Sequence, residues 1–449
     1  MLKTKLLIPV IVVLVTASCS PRSGVVIDPS KSTSTSSSNY VEHNSYQDFM
    51  LNKPNKAFNS DKTTAPHDNY VASLNTLSQD LYKKLYDGDN KIFSTISIAN
   101  CFSMLLEGAK EESKTELESF LHYDTTFNHL DEIKNTLLRN AIDDSKNESY
   151  LDISQSFWTD AKFKKEQMKQ TYIDTLTDYY FAEAFNGDLS SDEMHSALAD
   201  YINDKTRGFL NVKKDDFKDF AGVLWLLNTV YLKSQWVEAF NEYSNMQDKF
   251  TNLDKTDSTV TFMHKTESGR YLKKDNYLIS SISLKRGLSF NVLLPNKDIT
   301  DYSAVLNDAD AMNDLHNFKL YKNYSSASNG LINFKTPQFK IQKSIDLTQL
   351  LPKMGVSQIF KPFEANLRDI ADLKADENLY VSKAKHEAGI EVKNEGLEAA
   401  AYTIIEVEKA TSIDQPSPQY IDFIMDRPFA YTITNMDGIA LFTGVVTKL

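Results

Sequence analysis

The residues of this 449-residue chain that could carry chemistry are few and scattered. Its histidines stand at positions 43, 67, 122, 129, 195, 264, 316 and 386, with no HExxH and no paired spacing suited to a metal ion. GxSxG, GxGxxG and the GxxxxGK phosphate loop are all absent, which removes the usual nucleophile elbow and nucleotide cradles. Of the two cysteines, Cys101 lies in the apolar helical pattern "SIANCFSMLLEGA" and reads as a buried small hydrophobe, since no histidine stands in a companion motif. No catalytic residue, metal or cofactor is expected, and the chain does not read as an enzyme.

The segment "NEGLEAAAYTIIEVEKA", residues 394–410, is unusual for a different reason. Glu395-Gly-Leu-Glu-Ala-Ala-Ala is rich in helix formers, whereas Tyr402-Thr-Ile-Ile-Glu-Val is β-branched and aromatic. Written as a strand, Leu397, Ala399, Ala401, Thr403, Ile405 and Val407 share one face with no charge on it. The other face takes Glu398, Ala400, Tyr402, Ile404, Glu406 and Glu408. That is the pattern of a strand with one buried face.

The elements that must position this segment follow from periodicity. "NYVASLNTLSQDLYKKLY" (69–86) places Val71, Leu74, Leu77, Leu81 and Leu85 at helical spacing, and further helices are expected near 98–109, 113–121, 127–144 and 165–182. Strand signals then dominate: "YLDISQSFWTD", "VLWLLNTVYLKSQW", "STVTFMHK", "LSFNVLLP", "LINFKTPQFKI" and "PFAYTITNMDGIALFTGVV". Asp437-Gly438 in the last predicts a two-residue hairpin turn. Helices and strands that segregate without βαβ alternation argue for an α+β domain.

Charge limits the partners. The net charge of −12, with no sustained basic stripe, argues against nucleic acid and anionic membrane surfaces. At the N-terminus, Lys3 and Lys5 precede "LLIPVIVVLV" and the small residues "TAS", so residues 1–18 are expected to be a signal peptide. "VTASC" resembles the lipobox of bacterial lipoproteins, with Thr16 at the position usually held by an aliphatic residue. That resemblance implies lipidation at Cys19 and a chain on the cell envelope (outer membrane, periplasmic or surface-exposed), touching membrane only through the anchor; without lipid on Cys19 the chain would be secreted. Residues 19–68 are dense in Ser and Thr and are expected to form a flexible tether to a domain over 69–449.

Four blocks within 69–449 resemble the serpin family. "FSTISIANCFSMLLEGAK" is similar to its early Phe-Ser-Pro-x-Ser-Ile helix, with Thr95 in place of proline. "LLNTVYLKSQW" resembles its Val-Asn-x-x-Tyr-Phe-Lys-Gly-x-Trp block, with Ser234 in place of glycine. "VSKAKHEAGIEVKNEGLEAAAYT" resembles the run from the central strand into the reactive-loop hinge, and "DRPFAYTITNMDGIALFTGVV" resembles the C-terminal hairpin.

The resemblance implies helices packed with three β-sheets, and an exposed reactive-centre loop near 394–420 that inserts into the main sheet after a target protease cuts it. The chain would be a monomeric suicide inhibitor of serine proteases, with cysteine proteases as a further class. The alternative is a non-inhibitory member acting as a binding or structural protein. The family spacing places the bait bond at Ala410–Thr411, suiting elastase-like pockets, with Lys409–Ala410 as the alternative for trypsin-like ones. The inserting hinge would be Glu395, Gly396, Leu397, Glu398, Ala399, Ala400, Ala401 and Thr403. Leu397 replaces the usual small residue, which implies slower insertion, and Tyr402 replaces a common alanine but is expected on the outward face. Ser97, Asn228 and His386 would form a polar cluster where the sheet opens, with Trp236 near the top of the insertion path.

Overall fold

The computed structural model describes residues 6–18, 45–54, 63–144, 149–162, 167–220, 222–318, 327–397 and 420–449. The first half supplies β1 (Leu6–Ser18), β2 (Met50–Asn52), α1 (Asp68–Leu85), β3 (Lys91–Phe93), α2 (Thr95–Leu106), α3 (Glu111–Leu121), α4 (His129–Asn140), β4 (Ile142–Asp144), β5 (Ser149–Asp160), α5 (Gln170–Tyr179), β6 (Glu183–Gly187), α6 (Asp192–Lys205) and β7 (Leu224–Gln235). After β7 the chain is mostly strand: β8 (Met246–Thr251), β9 (Asp257–Lys273), β10 (Tyr277–Ser283), β11 (Ser289–Pro295), the short α7 (Tyr302–Leu306) and α8 (Ala309–Asn317), β12 (Ala327–Pro337), β13 (Phe339–Asp346), α9 (Leu347–Leu350), β14 (Glu377–Val392), β15 (Gly396–Leu397), β16 (Tyr420–Ile424), β17 (Phe429–Thr434) and β18 (Ala440–Val446).

The main sheet sets β13 against β14, then β7, β5, β6 and β2, with β1 and β15 both lying between β14 and β7. Its strands alternate between two cores. Leu224, Leu226, Val230 and Leu232 of β7 face the large core that holds α1 and α2. Trp225, Leu227 and Tyr231 face the opposite side, which α6 covers with Met194, Leu198, Tyr201 and Ile202. A strand buried on both faces has no reason to alternate in polarity, and the near-continuous apolar run of β7 reflects that.

α2 is buried along its whole length beneath this sheet, started by the Ser94 hydroxyl accepting from the Ser97 amide at 3.3 Å. The second sheet runs β16, β12, β9, β10, β11, β17, β18, β3, with β8 on β9. Two of the three expected sheets are therefore one hydrogen-bonded surface here, because β9 and β12 are long enough to run through both and pair from Ala327↔Leu272 to Pro337↔Phe262.

Two further differences have local causes. Residues 45–52, expected within the tether, are docked: Tyr46 is buried against Tyr201 and Phe185 and donates to Asp204 at 2.7 Å, and β2 pairs with β6. Tyr46, with Phe49 and Met50 packed against the same core, anchors it. The C-terminal hairpin turn spans Asn435–Ile439 rather than two residues. The Asn435 side chain accepts from the amides of Asp437 and Ile439, and Gly438 takes φ +81°. Leu6–Ser18, while present in the chain, forms a strand inside the main sheet.

Candidate functional site

The site is a strand-wide slot between β14 and β7. At its upper end β14 reverses through Lys393-Asn394-Glu395, and Gly396 and Leu397 drop between the two strands, antiparallel to both. Leu397 is fully buried in the large core. Gly396 is required by proximity: a β-carbon there would lie 2.2 Å from the Ser234 carbonyl oxygen and 2.6 Å from the Gln235 α-carbon. Its φ is not among the positive values, so close approach to β7, and not backbone freedom at a turn, is what requires the glycine.

The reversal is held from several sides. Trp236, 1% exposed, donates its indole N–H to the Lys393 carbonyl at 2.9 Å, and its backbone amide donates to the Glu395 carbonyl at 3.0 Å. Asn394 is buried and exchanges two amide hydrogen bonds of 2.9 Å with Asn245, and also accepts from Gln338 at 2.6 Å. Burial, with Glu242 nearby, holds the Glu395 carboxyl above its ordinary range.

Lower in the slot, Asn228 on β7 and His386 on β14 face each other across it, in register with one strand position between them. Both are fully buried. His386 Nε2 accepts from the Ser94 amide at 3.0 Å, which fixes the neutral tautomer, and burial pushes its pKa down to about 3. Its Nδ1, both amide atoms of Asn228, and the hydroxyl of Ser97 on α2 have no partner among the described residues. The same is true of Gln155, paired beside Asn228 on β5, and of Thr95 and the Asn100 amide nitrogen on α2. Buried polar groups are nearly always bonded, so a cluster of unmet donors and acceptors flanking a slot is a place built for another group.

A family model described as Serpin (serine protease inhibitor) matches residues 72–449. The chain belongs to the serpin family. Human serpin B7 is 24% identical over 381 residues, spanning 82% of this chain and 96% of its own. Serpin-Z10 of Arabidopsis thaliana is 27% identical over 399 residues, spanning 86% and 97%. Among solved structures, the native state of the thermophilic serpin tengpin superposes with a TM-score of 0.71 at 22% identity, over 86% of this chain and 96% of that one. Cleaved serpin 42Da does so with 0.70 at 22%, over 85% and 99%. The fold is the serpin fold, and serpins are in general protease inhibitors rather than catalysts.

Within this serpin, Asn228 and His386 flank the slot, and Ser97 is linked to them through Ser94, whose hydroxyl accepts from the Ser97 amide and whose amide donates to His386, while Trp236 stands apart at the upper end, against the hinge reversal. Gly396 and Leu397 lie in the slot and Glu395 at its mouth. Glu398, Ala399, Ala400, Ala401, Thr403, Lys409, Ala410, Thr411 and Cys19 lie outside the described residues. Sequence reasoning missed Asn394 with its partners Asn245 and Gln338, the Gln155 beside Asn228, and the helix α6. An asparagine next to a glutamate-glycine pair carries no outward sign that its amide is buried.

Proposed function

We propose that this serpin inhibits serine proteases by accepting its own cleaved loop into the slot between β14 and β7. The observation that carries this is the register of β15. Continuing Gly396↔Gln235 and Leu397↔Ser234 sets Ala399 opposite Leu232, Ala401 opposite Val230, Thr403 opposite Asn228, Ile405 opposite Leu226 and Val407 opposite Leu224. All of the apolar β7 residues in that series face the large core, so the uncharged face of the loop meets the dry face of the slot. Thr403 arrives between Asn228 and His386 and brings a hydroxyl that both donates and accepts. Leu397, whose size implies slower insertion, is already accommodated at the top of the slot without exposure.

The protease supplies the nucleophile and the chain supplies the bond. Ala410–Thr411 suits an elastase-like pocket, and Lys409–Ala410 a trypsin-like one. We read Cys19 as the lipid attachment point and the cell envelope as the location, on the strength of the sequence alone.

The test mixes the protein lacking residues 1–18 with an elastase-like and a trypsin-like protease, follows a covalent complex on a denaturing gel, and sequences the released peptide. A complex releasing Thr411 supports the Ala410 bond, and one releasing Ala410 moves it to Lys409. Ala399→Glu should convert inhibitor to substrate, because its carboxylate would be buried opposite Leu232. Cleavage of the unaltered loop without any complex would favour the non-inhibitory reading.

A further inference from the structure

The slot that the loop would fill is already filled. β1 pairs with β14 from Leu6↔Glu377 to Val15↔Glu387, and with β7 from Val10↔Leu224 to Ser18↔Leu232, parallel to both strands. We propose that residues 6–18 and the reactive loop are alternative occupants of one slot, so that the chain cannot take up its cleaved loop until cleavage before Cys19 has removed the N-terminal segment. This rests on the insertion reading above.

The positions coincide. On β7, Leu224, Leu226, Asn228, Val230 and Leu232 stand opposite Val10, Val12, Leu14, Thr16 and Ser18. The register of β15 assigns these same five to Val407, Ile405, Thr403, Ala401 and Ala399. Ser18 lies opposite Leu232 and Leu397 opposite Ser234, so the two occupants meet end to end and the loop can advance only by displacing β1.

The segment is suited to the place it holds. Val10 and Val12 are fully buried in the large core, and Val13 is buried in the α6 core on the opposite face. Both sides of the slot are dry there, and an apolar run that does not alternate satisfies both. The loop satisfies only one. Its second face, expected to be outward, would set Glu406 opposite Trp225, which is fully buried against Phe220 and His195. Pro9, which cannot donate to a ladder, falls below Val10, where β1 pairs with β14 alone.

What β1 does not supply is polarity at the level of Asn228 and His386. Its position between Asn228 and His386 is a leucine, and the buried polar atoms around that position stay unmet. The loop brings a threonine to the same point. β1 is therefore a stopper rather than a substitute for the loop: it closes the slot on both apolar faces and leaves the polar cluster for the loop to complete.

The experiment compares the full chain with the full chain carrying Val12→Asp and Val13→Asp, which put a carboxylate into each core and expel β1. Hydrogen exchange is read at residues 10–18, and the covalent complex with the cutting protease on a denaturing gel. The expected result is protection of residues 10–18 and loss of the complex in the unaltered full chain, with both reversed in the variant. Free exchange at residues 10–18 in the unaltered full chain, or equal trapping by both chains, overturns the proposal. If protection is lost in the variant but neither chain traps, the place of β1 in the slot stands, while the inhibitory reading falls and takes the competition with the loop with it.

Discussion

Replacing Gly396 by alanine separates two physical accounts of the hinge by the sign of the effect. If the glycine served only backbone freedom, alanine at a position without positive φ would stabilise by about 0.4–1 kcal/mol, through a less flexible unfolded chain. The geometry says otherwise: the added carbon would sit 2.2 Å from the Ser234 oxygen and 2.6 Å from the Gln235 α-carbon, both backbone atoms that cannot rotate aside. β15 must then move away from β7. A partial shift has the character of overpacking, about 1–3 kcal/mol. Full expulsion loses the burial of Leu397, roughly 1.5–3 kcal/mol, and two ladder bonds at about 0.5–1.5 kcal/mol each. Gly396→Ala should therefore lower unfolding free energy by about 1–6 kcal/mol. In denaturant titrations this moves the midpoint down, and with the hinge out of the slot a larger share of cut loop is released without trapping. A midpoint at or above that of the unaltered protein would refute the close-approach argument.

Three other outcomes follow from the same site. Asn394→Ala strands the amide of Asn245 and should cost about 1–3 kcal/mol per buried group left unpaired, read by thermal unfolding. Thr403→Val keeps the shape of the inserting strand but removes the hydroxyl, so the loop-inserted form should lose roughly 1–3 kcal/mol of stability while the uncleaved form is unchanged; equal losses in both forms would exclude the pairing with Asn228 and His386. His386, at about 3, and His316, held by burial at about 4, stay neutral while folded, whereas the unfolded chain takes up protons below about 6.5. Their contribution is complete above that pH and is lost as pH falls towards 4, at about 1.4 kcal/mol per unit for each histidine. His386→Gln should halve that slope, which a pH series of denaturant midpoints measures.

How much was legible in the sequence depended on how local the determinant was. The first helix was expected over 69–86 and spans Asp68–Leu85, because apolar spacing on one face decides it. β5 and β7 were legible from their β-branched and aromatic runs. α6 was not, although Met194, Leu198, Tyr201 and Ile202 fall at helical spacing, because that stripe is interrupted by the acidic Asp200 and Asp204 and flanked by Asp192 and Glu193. The polar cluster was half legible: Ser97, Asn228 and His386 came from resemblance, but Gln155 is recognisable only once β5 is laid beside β7. Asn394 was hidden for the same reason, as its partners Asn245 and Gln338 are brought to it by two other parts of the chain.

The N-terminal segment shows why a sequence pattern can carry two physical meanings at once. "LLIPVIVVLV" has the apolar core of a signal peptide, and equally the composition of a strand buried on both faces. Periodicity cannot separate them, because neither alternates. What separates it from the loop is the second face. The loop alternates, and so matches a slot that is dry on one side; residues 6–18 do not, and match a slot dry on both. Because α6 covers Trp225, Leu227 and Tyr231, the slot is of the second kind along the stretch opposite those residues. Deep insertion of the loop must therefore either carry Glu406 beneath that cover or lift α6 from the sheet. Glu406→Leu removes the first cost without touching the hinge, so it should speed insertion and raise the fraction of protease trapped per loop cut. An unchanged fraction would mean that α6 moves aside before the loop reaches Trp225.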